Sequence, residues 1–262
     1  MAQAPDPANS ESSPAATLPR HAAQGTLVTG QAAPGSTVTV DGRAIRVAED
    51  GRFVFALGRD ATGTQTVRVH APGRSPRDQR LQIIAQAWPT QHINGLPPAT
   101  VNPPPAIAER IRREQASVAA VRQRDDPRLD WQPPFIRPVE GRTSGRFGRQ
   151  RVYNGQPGAA HSGMDIAAAT GTPIKAPAAG IITFANADLY LTGGTVVLDH
   201  GFGISSNFLH LSRIDVKPGD HVRQGQVIGA VGSTGRSTGP HLHWGMNWFE
   251  IRIDPQTMLE RP

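Results

Sequence analysis

The chain has 262 residues, which is enough for two compact domains. It contains no cysteine, which excludes disulfides and thiolate metal sites, so any metal must be held by His, Asp or Glu. No stretch reaches the ~18 consecutive apolar residues of a membrane helix. The net charge of +6 favours acidic partners, but no nucleic-acid-binding module is recognisable.

The first half of the chain predicts a small β-sandwich behind a polar arm. Residues 1–24 have no apolar core typical of an intact secretory signal, and we expect a disordered arm. It is either the start of a mature exported chain or a sequence from which the signal was removed. Residues 25–88 alternate apolar and polar side chains, with Asp41-Gly42 and Asp50-Gly51 between the runs, where hairpin turns need positive φ. This pattern predicts an Ig-like module with a structural or binding role.

Residues 89–135 predict a proline-rich linker that contains one helix, at about 105–124. Within it, an apolar stripe recurs at spacings of four and three, interrupted by a single glutamate. The stripe consists of Ile107, Ile111, Glu114, Val118 and Val121. We expect a packing helix with no chemical role.

Residues 136–262 consist of short apolar runs punctuated by glycine, and they hold most of the chain's nine histidines. In a strand, side chains at i and i+2 point to the same face, so His241 and His243 of "HLH" predict two neighbouring imidazoles. His161 and Asp165 are four residues apart, a spacing that also allows a common face.

Two histidines and one aspartate are a frequent ligand set for catalytic zinc, with a further position open for water. The pattern supplies four candidate ligands for three positions, and His210 in "FLHLS" adds a fifth group. Amide hydrolysis uses such surplus groups, because it needs a base for water and a donor for the oxyanion and the leaving amine.

Four segments of this half resemble the lysostaphin-like (LytM-type) zinc metallopeptidases, in order, over about residues 136–258. They are "HSGMDIAAATGTPIKAPAAGIITFA", "VVLDHGFGISSNFLHLS", "VKPGDHVRQGQVIGAVGSTGRSTGPHLHW" and "IDP". The resemblance implies a mainly β chain whose residues 136–262 form an antiparallel β domain with a groove, built on a duplicated hybrid motif. It also implies a zinc endopeptidase that cuts peptide cross-links of bacterial peptidoglycan.

Carried over residue by residue, the resemblance makes His161, Asp165 and His243 the ligands of one zinc ion per chain. It makes His210 and His241 the catalytic histidines. Many relatives have Tyr where this chain has Phe208, and Tyr190 is a candidate substitute.

The first half of the chain resembles, more loosely, the modules that precede such peptidases in some Gram-negative exported proteins. The lysostaphin-like resemblance implies peptidoglycan stem peptides as the substrate, and the likeness of the first half implies a periplasmic or otherwise exported protein. It also implies a possible cell-wall partner protein for the N-terminal module.

Two other functions are consistent with parts of the pattern. A non-catalytic wall-binding regulator that activates a cell-wall amidase would share the fold. A biotinyl or lipoyl carrier would share the turn pattern, but it needs a lysine at a hairpin tip, whereas Lys175 and Lys217 adjoin predicted strand edges.

Several other residues carry weaker expectations. We expect His200 to be structural and His221 to be exposed on a hairpin, and we expect "GAVGSTGRS" to form a flexible wall of the groove. Arg149, Arg151 and Asn154 are candidates for the groove, with a loop role favoured.

Overall fold

The computed structural model describes residues 15–95 and 103–259, which are mainly β-strand with one long helix. They divide into two compact units. The first comprises residues 15–22, 28–55 and 63–83, and the second comprises residues 23–27, 56–62, 84–95 and 103–259.

Eight strands build the first unit: β1 (Ala16–Thr17), β2 (His21–Ala23), β3 (Leu27–Ala32), β4 (Thr37–Val40), β5 (Arg43–Ile45), β6 (Arg52–Ala56), β7 (Thr64–His70) and β8 (Arg77–Ile84). They form a three-stranded sheet, β1-β3-β6, and a five-stranded sheet, β2-β8-β7-β4-β5. The hairpin between β4 and β5 turns at Asp41 and Gly42, whose φ angles of 46° and 85° are the positive values expected for this turn.

The predicted N-terminal arm differs from the structure in its last residues. Residues 1–14 lie outside the described residues, but β1 pairs with β3 and β2 joins the edge of the five-stranded sheet. Ala16 is buried. Strands of two or three residues have no detectable period, so only pairing with a longer strand reveals them.

The second unit contains the remaining elements: β9 (Thr90–Ile93), α1 (Pro105–Val121), β10 (Arg142–Gly145), β11 (Gln150–Tyr153), β12 (Gln156–Pro157), β13 (Gly163–Ala167), β14 (Pro173–Lys175), β15 (Gly180–Leu189), β16 (Gly193–Asp199), β17 (Ile204–Leu211), β18 (Arg213–Ile214), β19 (His221–Val222), β20 (Val227–Ala230), β21 (His241–Trp248), β22 (Ile251–Ile253) and α2 (Gln256–Leu259). The main sheet has eight strands in the order β10-β13-β21-β17-β16-β15-β19, with β22 paired to β21. Two three-stranded sheets, β12-β11-β9 and β14-β20-β18, complete the unit.

The two faces of the main sheet have different roles because side chains alternate along β21. Leu242, Trp244 and Met246 are fully buried and form part of the core. The opposite surface of β21, which we call the site face, carries His241, His243 and Gly245. One face therefore stabilises the unit while the other is available for chemistry.

Helix α1 packs its predicted stripe towards the main sheet, against β15. Ile111 and Val118 are half-buried. Glu114, the polar member of the stripe, accepts hydrogen bonds from Arg110 Nε at 2.6 Å and from the Tyr190 backbone N–H at 2.8 Å. No helix among the described residues is long and apolar enough to cross a membrane.

The second unit includes two segments that precede the linker in the chain. The Gly25 carbonyl accepts a hydrogen bond from Asp254 N at 2.7 Å, and Arg59 Nε donates to Gly148 O at 2.7 Å. The division into compact units therefore does not coincide with the boundary that the sequence predicts at residue 88, because residues on its N-terminal side belong to the second unit.

Candidate metal and catalytic site

Strand pairing brings three donor side chains together on the site face. The antiparallel register of β13 and β21 places Asp165 opposite His243, and His161 lies just before β13. Asp165 Oδ1 is 2.8 Å from His243 Nδ1 and 3.0 Å from His161 Nε2, and the two nitrogens are 3.1 Å apart. The donor atoms of the three residues all lie within 4.8 Å of one another.

The surrounding backbone fixes the position of this cluster. His161 Nδ1 donates to the Arg146 carbonyl at 2.9 Å, which turns Nε2 towards Asp165. Gly145 lies opposite Asp165 across β10 and β13, and a Cβ at this position would come within 2.3 Å of Asp165 Oδ2. The carboxylate therefore occupies space that only glycine leaves free.

The electrostatics keep Asp165 ionised and His243 neutral. Burial alone would raise the pKa of Asp165, but its interactions with the adjoining His161 and His243 rings outweigh this effect and hold the pKa well below its usual range. Burial lowers the pKa of His243. Arg151 Nη2 lies 3.4 Å from Asp165 Oδ2 and adds a positive charge behind the carboxylate.

His210 and His241 form a second pair beside the cluster, with ring centroids 4.9 Å apart. His210 Nδ1 donates to the Thr234 carbonyl and His241 Nδ1 to the Gly239 carbonyl, each at 2.8 Å. Both rings consequently present an Nε2 lone pair, and His241 Nε2 lies 3.9 Å from Asp165 Oδ1. Burial lowers the pKa of His210 to about 4, so this ring is neutral at neutral pH.

The backbone of His210 is the unusual feature of this pair. Leu209 pairs with His243, so simple alternation along β17 would point His210 to the core, on the side of Phe208. Instead His210 has a φ of 67°, next to a register irregularity between β16 and β17. This left-handed residue breaks the alternation and allows the ring to lie against His241.

The predicted groove wall "GAVGSTGRS" has a more specific role than expected. The Thr234 carbonyl accepts the hydrogen bond of His210 Nδ1, and the Thr234 hydroxyl anchors the loop by donating to Leu211 O at 2.9 Å. Ser237 Oγ lies 3.3 Å from His241 Nδ1. The loop therefore orients both imidazoles.

The donor set fits a divalent zinc ion. Two neutral imidazole nitrogens and one carboxylate oxygen are typical of catalytic zinc sites. The second ring nitrogen of His161 is hydrogen-bonded to a backbone carbonyl, and such outer partners usually fix the tautomer of metal-binding histidines.

Comparison with known proteins identifies the family. Residues 159–255 match Peptidase family M23. A crystal structure from Pseudomonas aeruginosa, of a protein assigned to peptidase M23, is 32% identical and covers 90% of this chain and 94% of its own, with a TM-score of 0.71. The chain belongs to peptidase family M23.

Curated relatives match this M23 protein over less than half of its length. The DD-carboxypeptidase/endopeptidase Mpg of Neisseria meningitidis is 47% identical over 96 residues, which are 37% of this chain and 21% of that protein. Peptidoglycan DD-endopeptidase ShyC of Vibrio cholerae is 39% identical over 119 residues, 45% of this chain and 27% of its own. The chain therefore spans between 21% and 27% of the length of these relatives. The predicted lysostaphin-like family and mainly β fold are confirmed.

The structure of this M23 protein brings all five predicted site residues together and places other candidates elsewhere. His200 is buried in the core and His221 is exposed, as expected. Phe208 is fully buried opposite Trp244, so its ring faces the core and not the site. Tyr190 packs against Arg110, whose guanidinium lies 5.8 Å from the ring centroid.

Of the three polar candidates ahead of His161, Arg151 contacts Asp165 of the donor cluster with its side chain. The Arg149 carbonyl accepts a hydrogen bond from the His161 backbone N–H at 2.8 Å. Asn154, with a φ of 49°, forms the turn between β11 and β12, and Arg149 lines a separate cavity near Trp88. The sequence favoured a loop role for Arg151 because nothing in it links β11 to Asp165.

Proposed function

We propose that this chain is a zinc metalloendopeptidase that hydrolyses peptide cross-links of bacterial peptidoglycan. The observation that carries the proposal is the convergence of His161, Asp165 and His243 beside His210 and His241. No other arrangement among the described residues combines a three-donor cluster with two further imidazoles.

His161, Asp165 and His243 would hold the ion. When bound, zinc lowers the pKa of coordinated water towards ~7 and polarises a carbonyl group. The three side chains contribute one negative charge in total, because both imidazoles are neutral when they act as ligands and the carboxylate is ionised. Arg151 offsets part of that charge from behind Asp165.

His210 and His241 would move protons during the reaction. The Nδ1–H of each ring donates a hydrogen bond to a backbone carbonyl, so each ring has an Nε2 that accepts a proton and, once protonated, donates it. One ring takes a proton from the attacking water and a protonated ring stabilises the oxyanion and delivers a proton to the leaving amine. The two histidines share the base and acid roles, and we assign neither role to one particular ring.

The substrate follows from the relatives. ShyC is named a peptidoglycan DD-endopeptidase and Mpg a DD-carboxypeptidase/endopeptidase. Peptidoglycan stem peptides are therefore the proposed substrate, and the proposed location is the periplasm or another exported compartment. A cell-wall partner protein bound by the N-terminal module remains part of this proposal.

The alternative of a non-catalytic regulator that activates an amidase has less support. A regulator does not need metal donors, yet all three donors and both additional histidines are present. No observation favours a carrier function. Lys175 lies in β14, and Lys217 lies between β18 and β19, which pair with β20 and β15 and form no hairpin with each other.

Digestion of purified peptidoglycan sacculi by the zinc-loaded chain tests the proposal, with mass spectrometry of the released fragments. We expect cleavage at peptide bonds, abolished in His161→Ala and reduced at least about a hundredfold in His210→Ala. His221→Ala is the matched control, since this histidine is exposed and outside the cluster. Full activity in His161→Ala would contradict the proposal, and stimulation of an amidase without cleavage would favour the regulator.

A further inference from the structure

A cavity of about 380 Å³ lies between helix α1 and the site face of the main sheet. Its wall includes His243 of the donor cluster, together with Asn207 of β17 and Asn247 of β21. The cavity therefore continues from the candidate metal site along the sheet. None of the proposed catalytic steps uses it.

Two arginines meet at this cavity without a carboxylate partner. Arg122, which directly follows α1, donates from Nη2 to Asn207 Oδ1 at 2.5 Å, while its Nε is buried without an acceptor. Arg252 lies opposite Asn247 in the β21–β22 pair and is exposed at the cavity. Neither guanidinium forms an ion pair with a carboxylate in residues 15–95 or 103–259.

Another donor at the cavity also lacks a hydrogen-bond acceptor. Asn247 is 2% exposed, and its Nδ2 is buried without a hydrogen-bond partner. Two carboxylates, Glu114 and Glu250, also line the wall, and Glu114 is engaged by Arg110 and by Tyr190 N. Burial and the neighbouring Arg252 lower the pKa of Arg122 to about 10, which still leaves it cationic at neutral pH.

We infer that Arg122 and Arg252 form a carboxylate-binding subsite of the peptide groove. Guanidinium groups match carboxylates in shape and charge, and an incoming carboxylate would supply the acceptor that Arg122 Nε and Asn247 Nδ2 lack. The inference rests on the proposed function, since it takes the bound molecule to be the substrate peptide.

The spacing along β21 indicates where the carboxylate lies in the substrate. Gly245, which pairs with Asn207, and Asn247, which pairs with Arg252, are two and four residues beyond His243. At ~3.3 Å per residue these positions are roughly 7 and 13 Å from His243. The acidic group would therefore lie about two to four residues from the scissile bond of an extended peptide.

The test compares two forms of one peptidoglycan fragment, a cross-linked muropeptide with free carboxylates and the same fragment with those carboxylates converted to amides. We expect the full chain to prefer the carboxylate form about tenfold or more in kcat/KM, chiefly through KM. Arg122→Gln and Arg252→Gln should each reduce that preference, and Arg122→Lys should restore part of it. Arg112→Gln is the matched control, because Arg112 lies on the exposed side of the same helix and forms its one ion pair within the described ranges with Glu109.

Binding of the two fragments to His161→Ala, measured by calorimetry, separates the two proposals. Tighter binding of the carboxylate form, lost in the double variant with Arg122→Gln, supports the subsite even if the wild-type chain cleaves neither fragment. Cleavage with equal kcat/KM for both forms leaves the peptidase proposal standing and overturns the subsite. A preference for the carboxylate form that Arg122→Gln and Arg252→Gln leave unchanged would also overturn the subsite.

Discussion

Asp165 is held by contacts from four directions: two imidazoles, the guanidinium of Arg151 and the backbone of Gly145. Its side chain is only 14% exposed, so it has little room to adopt another rotamer. The geometry of the donor cluster therefore depends on Gly145, which has no side chain and takes no part in the chemistry.

Gly145→Ala should weaken metal binding without removing any donor. The added Cβ would come within 2.3 Å of Asp165 Oδ2, so the carboxylate must move and zinc affinity should fall by about tenfold to a hundredfold. Competition with a chelator measures this affinity. Gly58→Ala is the control, because its Cβ meets only Ile251 at an ordinary 3.5 Å. Unchanged affinity in Gly145→Ala would show that the cluster tolerates displacement.

His200 should make the stability of the chain depend on pH. Its Nδ1 donates to Ala179 O and its Nε2 accepts from Ser206 Oγ, so the folded state needs the neutral ring, and burial lowers the pKa of His200 to about 4. The stabilisation is complete above the unfolded value of 6.5 and is lost as pH falls through the folded value.

The corresponding loss in the free energy of unfolding is roughly 3 kcal/mol between about pH 7 and about pH 4. Urea denaturation at several pH values measures it. His200→Asn should be less stable at neutral pH but should vary less with pH over this window. Identical pH slopes for both proteins would exclude His200 as the source.

At the scale of single elements, the end of β17 determines whether the site is complete. His210 reaches His241 through its left-handed backbone, and the loop after β20 packs closely against this point. A Cβ on Gly232 would lie 2.5 Å from Ser212 N and 2.6 Å from His210 O. The strand end and the loop can lie this close together only because residue 232 is a glycine.

Gly232→Ala should therefore lower activity while the metal stays bound. Displacement of the His210 backbone would misalign the ring, and we expect kcat to fall by about tenfold or more. Steady-state kinetics on a muropeptide, with zinc content measured on the same sample, tests this. Gly239→Ala, which has open space around its Cβ, should retain activity. Zinc loss in Gly232→Ala would instead indicate that the donor cluster depends on this loop.

Elements also differ in how far the sequence determines them. Alternation in β21 predicts that His241 and His243 share a face, and the antiparallel pairing with β13 completes the cluster. The orientation of His210 is not predictable in this way, because the alternation rule points it to the core. Its role came from the family resemblance, and the physical cause is a single residue with positive φ.

At the scale of the whole molecule, the compact units do not follow the order of the chain. Residues 23–27 and 56–62 precede the linker but belong to the second unit. Composition predicts a boundary at the proline-rich linker, whereas the hydrogen bonds of Gly25 and Arg59 join these segments to the second unit. Contacts of this kind are distant in sequence and leave no local pattern.

A fragment that begins at residue 89 should therefore be less stable than the full chain. It loses the Arg59–Gly148 and Asp254–Gly25 hydrogen bonds, at a cost of about 2–4 kcal/mol. Urea denaturation monitored at the C-terminal unit compares the two proteins. Equal midpoints would show that the two N-terminal segments contribute nothing to this unit.

The central claim is that three side chains distant in sequence bind one divalent ion. Its most direct test is the zinc content of the purified full chain, refolded or dialysed in excess zinc and then freed of loose metal. We predict one zinc per chain, falling to near zero in His161→Ala and Asp165→Ala but unchanged in His221→Ala. A metal-free wild-type chain, or equal zinc in all four proteins, would contradict the account.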